Sequence, residues 1–279
     1  MAGAGEVVAA GRAYGRDMET TTTPWALGDY HLFAKTLVWS LGPALVEATG
    51  IGPGDRVLDV AAGTGNVAIP AAQAGAHVVA SDLEPAQFEA GRLEARGCGV
   101  ELEWVQADAA ALPFGDGAFD VVTSAAGAIF APDHQAVADE LVRVCRPGGT
   151  VGMIAFTPEG MAGEFFELIG RYAPPPEPGG LPPILWGVEE HVRERFGDRL
   201  DLRLERREYL ERIRGGPEAF LAFYKRTFGP LVAIYEHLDA KTAAELDRTA
   251  LEFVDRRNTG GTGETVLPVE YLLIVGRRR

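Results

Sequence analysis

Along this chain the spacing of apolar residues changes period in a repeating order. Short apolar runs of strand type alternate with stretches whose apolar residues recur every three or four positions. The first unit opens after the turn Ile51-Gly52-Pro53-Gly54-Asp55. Val57, Leu58 and Val60 predict a strand, and Ala61-Ala62-Gly63-Thr64-Gly65 is a loop of small residues. Val67, Ala68, Ile69, Ala71 and Ala72 then predict a helix to about Gln73, stopped by Gly75. Further strands are predicted over 77–82, 100–105, 119–124 and 150–156, with helices over 85–96 and 134–144 between them. Asp133 can cap the later helix, and Cys145-Arg146-Pro147-Gly148-Gly149 closes it. Such alternation specifies an α/β fold, a parallel sheet covered by helices on both faces.

The flanks read differently. Residues 1–23 are rich in Ala, Gly and Thr, carry no clear helix start and are expected to be a partly disordered, flexible N-terminus. Residues 24–49 predict two helical pieces, with Trp25, Tyr30, His31 and Phe33 close together ahead of Leu37, Val38, Leu41, Leu45 and Val46. Two roles fit these aromatics: packing the helices onto the sheet, or forming a lid with Tyr30 and His31 facing a bound ligand. The core is expected over 50–157. Residues 158–240 form an expected substrate-side cap insertion: a proline-rich loop over 172–183, a helix over 188–196 and a strand over 200–210. It continues as a helical region over 216–237 carrying Phe220, Phe223, Tyr224, Phe228 and Tyr235. These rings serve either packing or the lining of a pocket for an organic substrate. Residues 241–279 supply a C-terminal helix and a last strand over 271–275.

Composition narrows the function. The 279 residues are 47% hydrophobic, enough for one large core or one core with a cap. The formal net charge is −14, without the basic footprint of a nucleic-acid binder, so no nucleic-acid partner is expected. Arg277–Arg279 reads as a solvated terminus. Cys98 and Cys145 lack metal-ligand spacing, so no metal is expected; as reduced thiols they suit a cytoplasmic protein. No signal-peptide pattern opens the chain and no run approaches the roughly 18 apolar residues of a membrane span. Oligomeric state is left open.

A strand, a glycine turn and a helix open a nucleotide-binding βαβ unit, in which a ligand approaches backbone without a Cβ in the way. Gly63-Thr64-Gly65-Asn66-Val67-Ala68 also fits the dinucleotide pattern G-x-G-x-x-G/A, which keeps a nicotinamide-dependent oxidoreductase as the alternative. Asp59 weighs against it. A dinucleotide seats its pyrophosphate on the helix N-terminus, where an acid repels it. S-adenosylmethionine has no phosphate and brings a sulfonium and an ammonium group that an acid favours. Asp82 ends the second strand, where it can accept from both ribose hydroxyls or cap the next helix. Asp108 can accept from the adenine amino group. Ser124, Ala125 and Ala126 end the fourth strand, and their small size leaves room for a cofactor and substrate. His77 and Asp120 lie at strand entries, away from ligands, and read as structural.

In order, VLDVAAGTG, VVASDLEP, ADAAALPF, FDVVTSAAGAIF and RVCRPGG resemble the motifs of class I S-adenosylmethionine-dependent methyltransferases. The nearer likeness is to the small-molecule branch that includes quinone-biosynthesis C-methyltransferases. It covers about 50–157 and the last strand. It implies a Rossmann-like, mostly parallel seven-stranded sheet with an antiparallel final strand, S-adenosylmethionine as cofactor and a small-molecule methyl acceptor. It places Asp59, Ala61, Gly63, Thr64 and Gly65 around the methionine portion. Asp82 falls at the ribose, Leu83 on adenine, Asp108 and Ala109 at the adenine edge, and Ser124 and Ala125 after strand four. Ala61 stands for the usual first glycine, and Gln87 for a Met or Leu that packs on adenine. An Asn or Asp followed by Pro-Pro-aromatic, the mark of base or amide N-methylation, is missing. Tyr30 would reach the cofactor from the lid. A base helps where the acceptor carries a proton; His31 and His134 are the candidates by position, each with a packing or helix-start role as the competing one. His191 and His237 read as structural. A non-catalytic S-adenosylmethionine-binding protein is the third possibility.

Overall fold

Seven strands are built where the apolar runs stand: β1 (Arg56–Val60), β2 (His77–Asp82), β3 (Glu103–Gln106), β4 (Phe119–Ala125), β5 (Cys145–Phe156), β6 (Leu200–Arg214) and β7 (Glu264–Arg278). They form one sheet in the order β3-β2-β1-β4-β5-β7-β6. The first five pair in parallel; β7 runs antiparallel to both β5 and β6. The structure is a computed structural model and describes residues 23–174 and 179–279. The expected flexible N-terminus, apart from residue 23, and part of the proline-rich loop lie outside the described residues.

Strand order reverses between β1 and β4, and there the carboxyl ends of two neighbouring strands open a crevice suited to a ligand. Helices cover both faces: α1 (Tyr30–Phe33), which runs into a wider turn over Ala34–Val38, α2 (Leu41–Thr49), α3 (Ala68–Gln73), α4 (Gln87–Gly97), α5 (His134–Val144), α6 (Met161–Gly170), α7 (Glu189–Phe196), α8 (Pro217–Thr227), α9 (Gly229–His237) and α10 (Ala240–Arg257). Asp133 caps α5 as expected, its Oδ1 accepting from Ala136 N–H at 2.9 Å. One continuous core runs from Phe33 to Ile274, and a smaller one, with Ile51, Val57 and Val78, lies under α3.

Four strands differ from the sequence expectation. β5 starts at Cys145 rather than Thr150, because the Cys145–Gly149 stretch expected only to close α5 already pairs with β4, Cys145 opposite Phe119. β3 starts at Glu103 because α4 unwinds through Gly99 (φ +73°) and Val100 N–H still bonds Ala95 carbonyl at 3.0 Å. β7 starts seven residues early and passes through Pro268. The β5 pairing ends at Phe156 opposite Tyr271, so Pro268 faces β6 alone and costs no ladder bond on the β5 side. β6 likewise continues to Arg214. Along it the covered positions change from Leu200, Leu202 and Leu204 to Tyr209, Glu211 and Ile213, without a break in register. Beyond the end of β5 the two-stranded ribbon twists more freely and presents its other face to the helices.

The segment before α2 is pinned at both ends of the crevice. Gln87 Nε2, from α4, donates to Trp25 carbonyl at 2.8 Å. Asp29 N–H donates to Arg226 carbonyl at 3.1 Å at the end of α8, and the Asp29 side chain caps α1 through Leu32 N–H. Cys98 and Cys145 are free thiols. Among the described residues no helix is long and apolar enough to cross a membrane, and no cluster of metal-ligating side chains occurs.

Candidate active site

The crevice is made chiefly of backbone. Two alanines, Ala61 after β1 and Ala126 after β4, each hold φ at +53°, a left-handed conformation that costs an L-residue about 1–2 kcal/mol. The strain turns both chains sharply away at the switch point. Close approach is enforced nearby: a Cβ on Gly127 would lie 2.4 Å from Ala61 O and 2.8 Å from Ala61 Cβ. The Ala61 backbone therefore requires glycine at 127, and the Ala61 methyl tightens the fit further. Gly63 is also left-handed (φ +55°), and a Cβ there would meet the Tyr30 ring at 2.7 Å.

The acids fall into three different situations. Asp59 is 1% exposed, with Oδ2 accepting from Ala68 N–H (3.1 Å) and Oδ1 from the Thr123 hydroxyl (3.0 Å). Burial pushes its carboxyl up to about 7 against these hydrogen bonds. It lies behind the loop, fastening α3 to β4, with both carboxylate oxygens spent on protein donors. That corrects the picture of Asp59 as an acid facing the ligand's cationic groups. Asp82 ends β2 with Oδ2 accepting from Gly63 N–H (2.7 Å) and Oδ1 from Glu84 N–H (2.9 Å). Burial raises its pKa, opposed by those N–H donors. Asp108 is exposed and accepts from Ala110 N–H at 2.8 Å; Ala109 beside it is buried.

Other expected residues divide. Leu83, 44% exposed at the end of β2, and Tyr30, resting on Gly63, border the crevice. Thr64 sits in the loop with a buried hydroxyl that has no partner among the described residues. Ala125 and Ala126 form the crevice floor toward α6. Gln87 is spent on Trp25, so it anchors the N-terminal segment instead of meeting adenine. Ser124 is fully buried and accepts from Ala128 N–H at 2.9 Å, which removes it from the crevice surface.

Neither candidate base faces the crevice. His31 turns toward α4, its Nε2 3.5 Å from Glu94 Oε2, beside Lys35 at 2.7 Å from the same carboxylate. His134 has no exposed surface; its Nδ1 lies 2.9 Å from His191 Nε2 and its ring packs on Trp186. Burial holds its pKa down to about 4. The helix start at Asp133 directs the His134 side chain into the α5–α7 packing, and His191 is its partner there.

Beyond Tyr30, Ala125 and Ala126 lies a narrow, mostly aromatic cavity of about 50 Å³. Trp25, Phe33, Phe130, Phe166, Tyr224 and Phe228 supply much of its wall, joined edge-to-face or stacked. Its one carboxylate is Glu211, 3% exposed, from the far end of β6. The Tyr224 hydroxyl donates to Glu211 Oε2 at 2.7 Å and the Tyr209 hydroxyl to Oε1 at 3.1 Å. Burial pushes the Glu211 carboxyl up to about 7, against the pull of the two phenols. The sequence reading passed over Glu211, which lies one residue beyond the strand expected over 200–210. The alternation Tyr209, Glu211, Ile213 against Leu210, Arg212 and Arg214 was the available signal.

Residues 57–149 match the model of a methyltransferase-domain family. An uncharacterised protein of Mycobacterium tuberculosis is 45% identical over 258 residues, 91% of this chain and 93% of that one. A demethylmenaquinone methyltransferase of Thermus thermophilus is 42% identical over 105 residues, 37% of this chain and 48% of that protein. The chain is a class I S-adenosylmethionine-dependent methyltransferase. Solved structures share the fold: a Bacillus halodurans protein has a TM-score of 0.60 at 21% identity, covering 85% of this chain and 98% of that one. The G-x-G-x-x-A match of this methyltransferase is thus the glycine turn of a different nucleotide fold, and S-adenosylmethionine is its cofactor. The crevice fits that group: left-handed turns leave backbone uncovered, Thr64 offers an unpartnered hydroxyl, and an exposed Leu83 adjoins the Asp82 carboxylate.

Proposed function

We propose that this methyltransferase transfers a methyl group to a small, largely apolar organic molecule held in the aromatic cavity. The observation that carries the reading is continuity: Tyr30, Ala125 and Ala126 belong both to the crevice edge and to the cavity wall. Its lining, mostly aromatic with a single carboxylate, has the apolar walls and few polar groups of small-molecule sites. The demethylmenaquinone methyltransferase likeness is consistent with a small acceptor, since its named substrate is one.

When bound, S-adenosylmethionine supplies an already activated methyl group on a sulfonium. The protein's task is then alignment and exclusion of water. Asp82 would hold the ribose hydroxyls, Leu83 one face of adenine, and Asp108 with Ala109 its edge. Ala61, Gly63, Thr64 and Gly65 would line the methionine end, with Asp59 setting the loop from behind. Tyr30, braced by Trp25 and Phe33, closes the crevice from above.

Two measurements test this. Calorimetric titration with S-adenosylhomocysteine should give micromolar binding, and loss of that binding in Asp82→Ala supports the ribose assignment. Incubation with S-adenosylmethionine and a panel of apolar amines, phenols and quinols should then yield a one-methyl mass gain in one class. Acceptors confined to proteins or nucleic acids would overturn the small-molecule reading.

A further inference from the structure

We propose that the polar end of the aromatic cavity recognises an ammonium group: the Glu211 carboxylate, held by Tyr209 and Tyr224, pairs with the protonated nitrogen of an amine acceptor while the rings hold its apolar body. This deepens the preceding reading and rests on the cavity being the acceptor site.

Charge balance points to a cation. Glu211 is 3% exposed and lines the cavity, yet no Lys, Arg or His does so among the described residues. A buried carboxylate without a counter-charge is costly. The two phenols donate one hydrogen bond each, but a carboxylate has about four acceptor positions, and phenols bring no positive charge. A protonated amine supplies both. The walls suit it too, because the faces of Trp, Tyr and Phe attract cations, more strongly where water is excluded. An anionic acceptor would meet Glu211 with no cation to pair it. A neutral alcohol could donate to Glu211 and would leave its charge uncompensated. The competing role, a tie between β6 and α8, does not account for a carboxylate on the cavity wall.

The same carboxylate can take the proton an ammonium must lose before its lone pair is free. An N–H bond breaks, an O–H bond forms on Glu211, and a neutral amine and a neutral acid remain.

The test is calorimetry on protein saturated with S-adenosylhomocysteine, using 2-phenylethylamine, 2-phenylethanol and phenylacetate. The amine is expected to bind about tenfold or more tightly than the alcohol, and phenylacetate not measurably. Glu211→Gln should weaken the amine about tenfold or more, leave the alcohol unchanged, and leave S-adenosylhomocysteine affinity unchanged. A wild-type series needs no variant: amine affinity should rise from about pH 6 to about pH 8 as Glu211 ionises, with the alcohol flat. The other titratable groups facing Glu211 are Tyr209 on its own strand, Tyr224 from α8 and Tyr30 on the cavity wall. Burial holds all three phenols neutral over that range. Equal binding of amine and alcohol, no binding of any probe, an unaffected Glu211→Gln or a flat amine series would each overturn the ammonium site. Failure of S-adenosylhomocysteine to bind would instead overturn the crevice assignment beneath it.

Discussion

The crevice and the aromatic cavity share Tyr30, Ala125 and Ala126 but are built on opposite plans. The crevice comes mainly from short contiguous stretches at the ends of β1, β2 and β4, and its working surface is turned backbone. The cavity gathers side chains from Trp25 to Phe228, spanning most of the chain, and its backbone is ordinary helix and strand. A site made of backbone tolerates almost no added atoms and varies little in residue type. A site made of side chains can change its chemistry one residue at a time. One fold can therefore keep its cofactor while its acceptor specificity changes.

The sharpest separation of the two regions comes from Asp82→Ala. Charge-assisted hydrogen bonds are worth roughly 1.5–3 kcal/mol each, so losing those to two ribose hydroxyls should weaken S-adenosylhomocysteine about a hundredfold or more. Gly63 and Glu84 N–H also lose their acceptor, so the loop loosens as well. An unchanged dissociation constant in calorimetry would sink the ribose role. Asp82→Asn keeps the shape and should fall between the two.

Next in size is Gly127→Ala, which adds one carbon to the crevice. Its Cβ would sit 2.4 Å from a backbone oxygen, and overpacking of this kind costs about 1–3 kcal/mol. For a chain of this size that is about 2–4 °C of Tm per kcal/mol. A methyl added in the cavity, as Ala162→Val, can be met by rotation of neighbouring side chains and should cost less. Equal melting losses would erase the distinction between the two plans.

Glu211→Gln probes the cavity through pH. The folded carboxyl titrates at about 7, above its ordinary value of 4.5, so between these pH values the native state binds more protons than the unfolded state. Stability from this group is present below about pH 4.5 and is lost as pH rises through about 7. Glutamine cannot ionise. The variant should therefore gain Tm relative to wild type from pH 5 to pH 8. Asp59, also raised to about 7, contributes the same slope to both proteins and cancels in the difference. A constant difference across that range would mean that Glu211 is not buried as a titrating group.

How much the sequence disclosed follows the same division. The β1 loop, the acid at the end of β2 and the small residues after β4 were legible, because a tight turn and a strand end leave local marks. His77–Asp82 and His134–Val144 fall on the boundaries expected from pattern alone. Orientation was not legible. Ser124, His31 and His134 sit at plausible positions, but helix phase and capping turn them into Ala128, Glu94 and His191. Glu211 went unseen because the expected strand stopped at Leu210, and the change of buried face where β5 ends left only the short alternation Tyr209, Glu211, Ile213 as a local mark. The lid and packing readings of Trp25 and Tyr30 are not exclusive, since Tyr30 packs on Trp25 and also rests on Gly63.

The smallest expected effect belongs to His31→Ala. His31 is part-exposed and reaches Glu94 at 3.5 Å, whereas Lys35 holds the other oxygen at 2.7 Å. Surface pairs of this kind are worth about 0–1 kcal/mol, and this one acts only when the imidazole is protonated. Glu94 is held below its usual carboxylate range mainly by the Lys35 hydrogen bond, so Lys35→Ala should lower Tm more than His31→Ala. Methyl transfer should be unaffected by the histidine change, because nothing places its ring against the cavity. A large drop in turnover with unchanged Tm would mean that α1 turns when acceptor binds, swinging His31 from α4 toward Tyr30's position. The N-terminal segment would then be a moving part of the acceptor site, and the division into a fixed backbone crevice and a changeable side-chain cavity would need a third, mobile element.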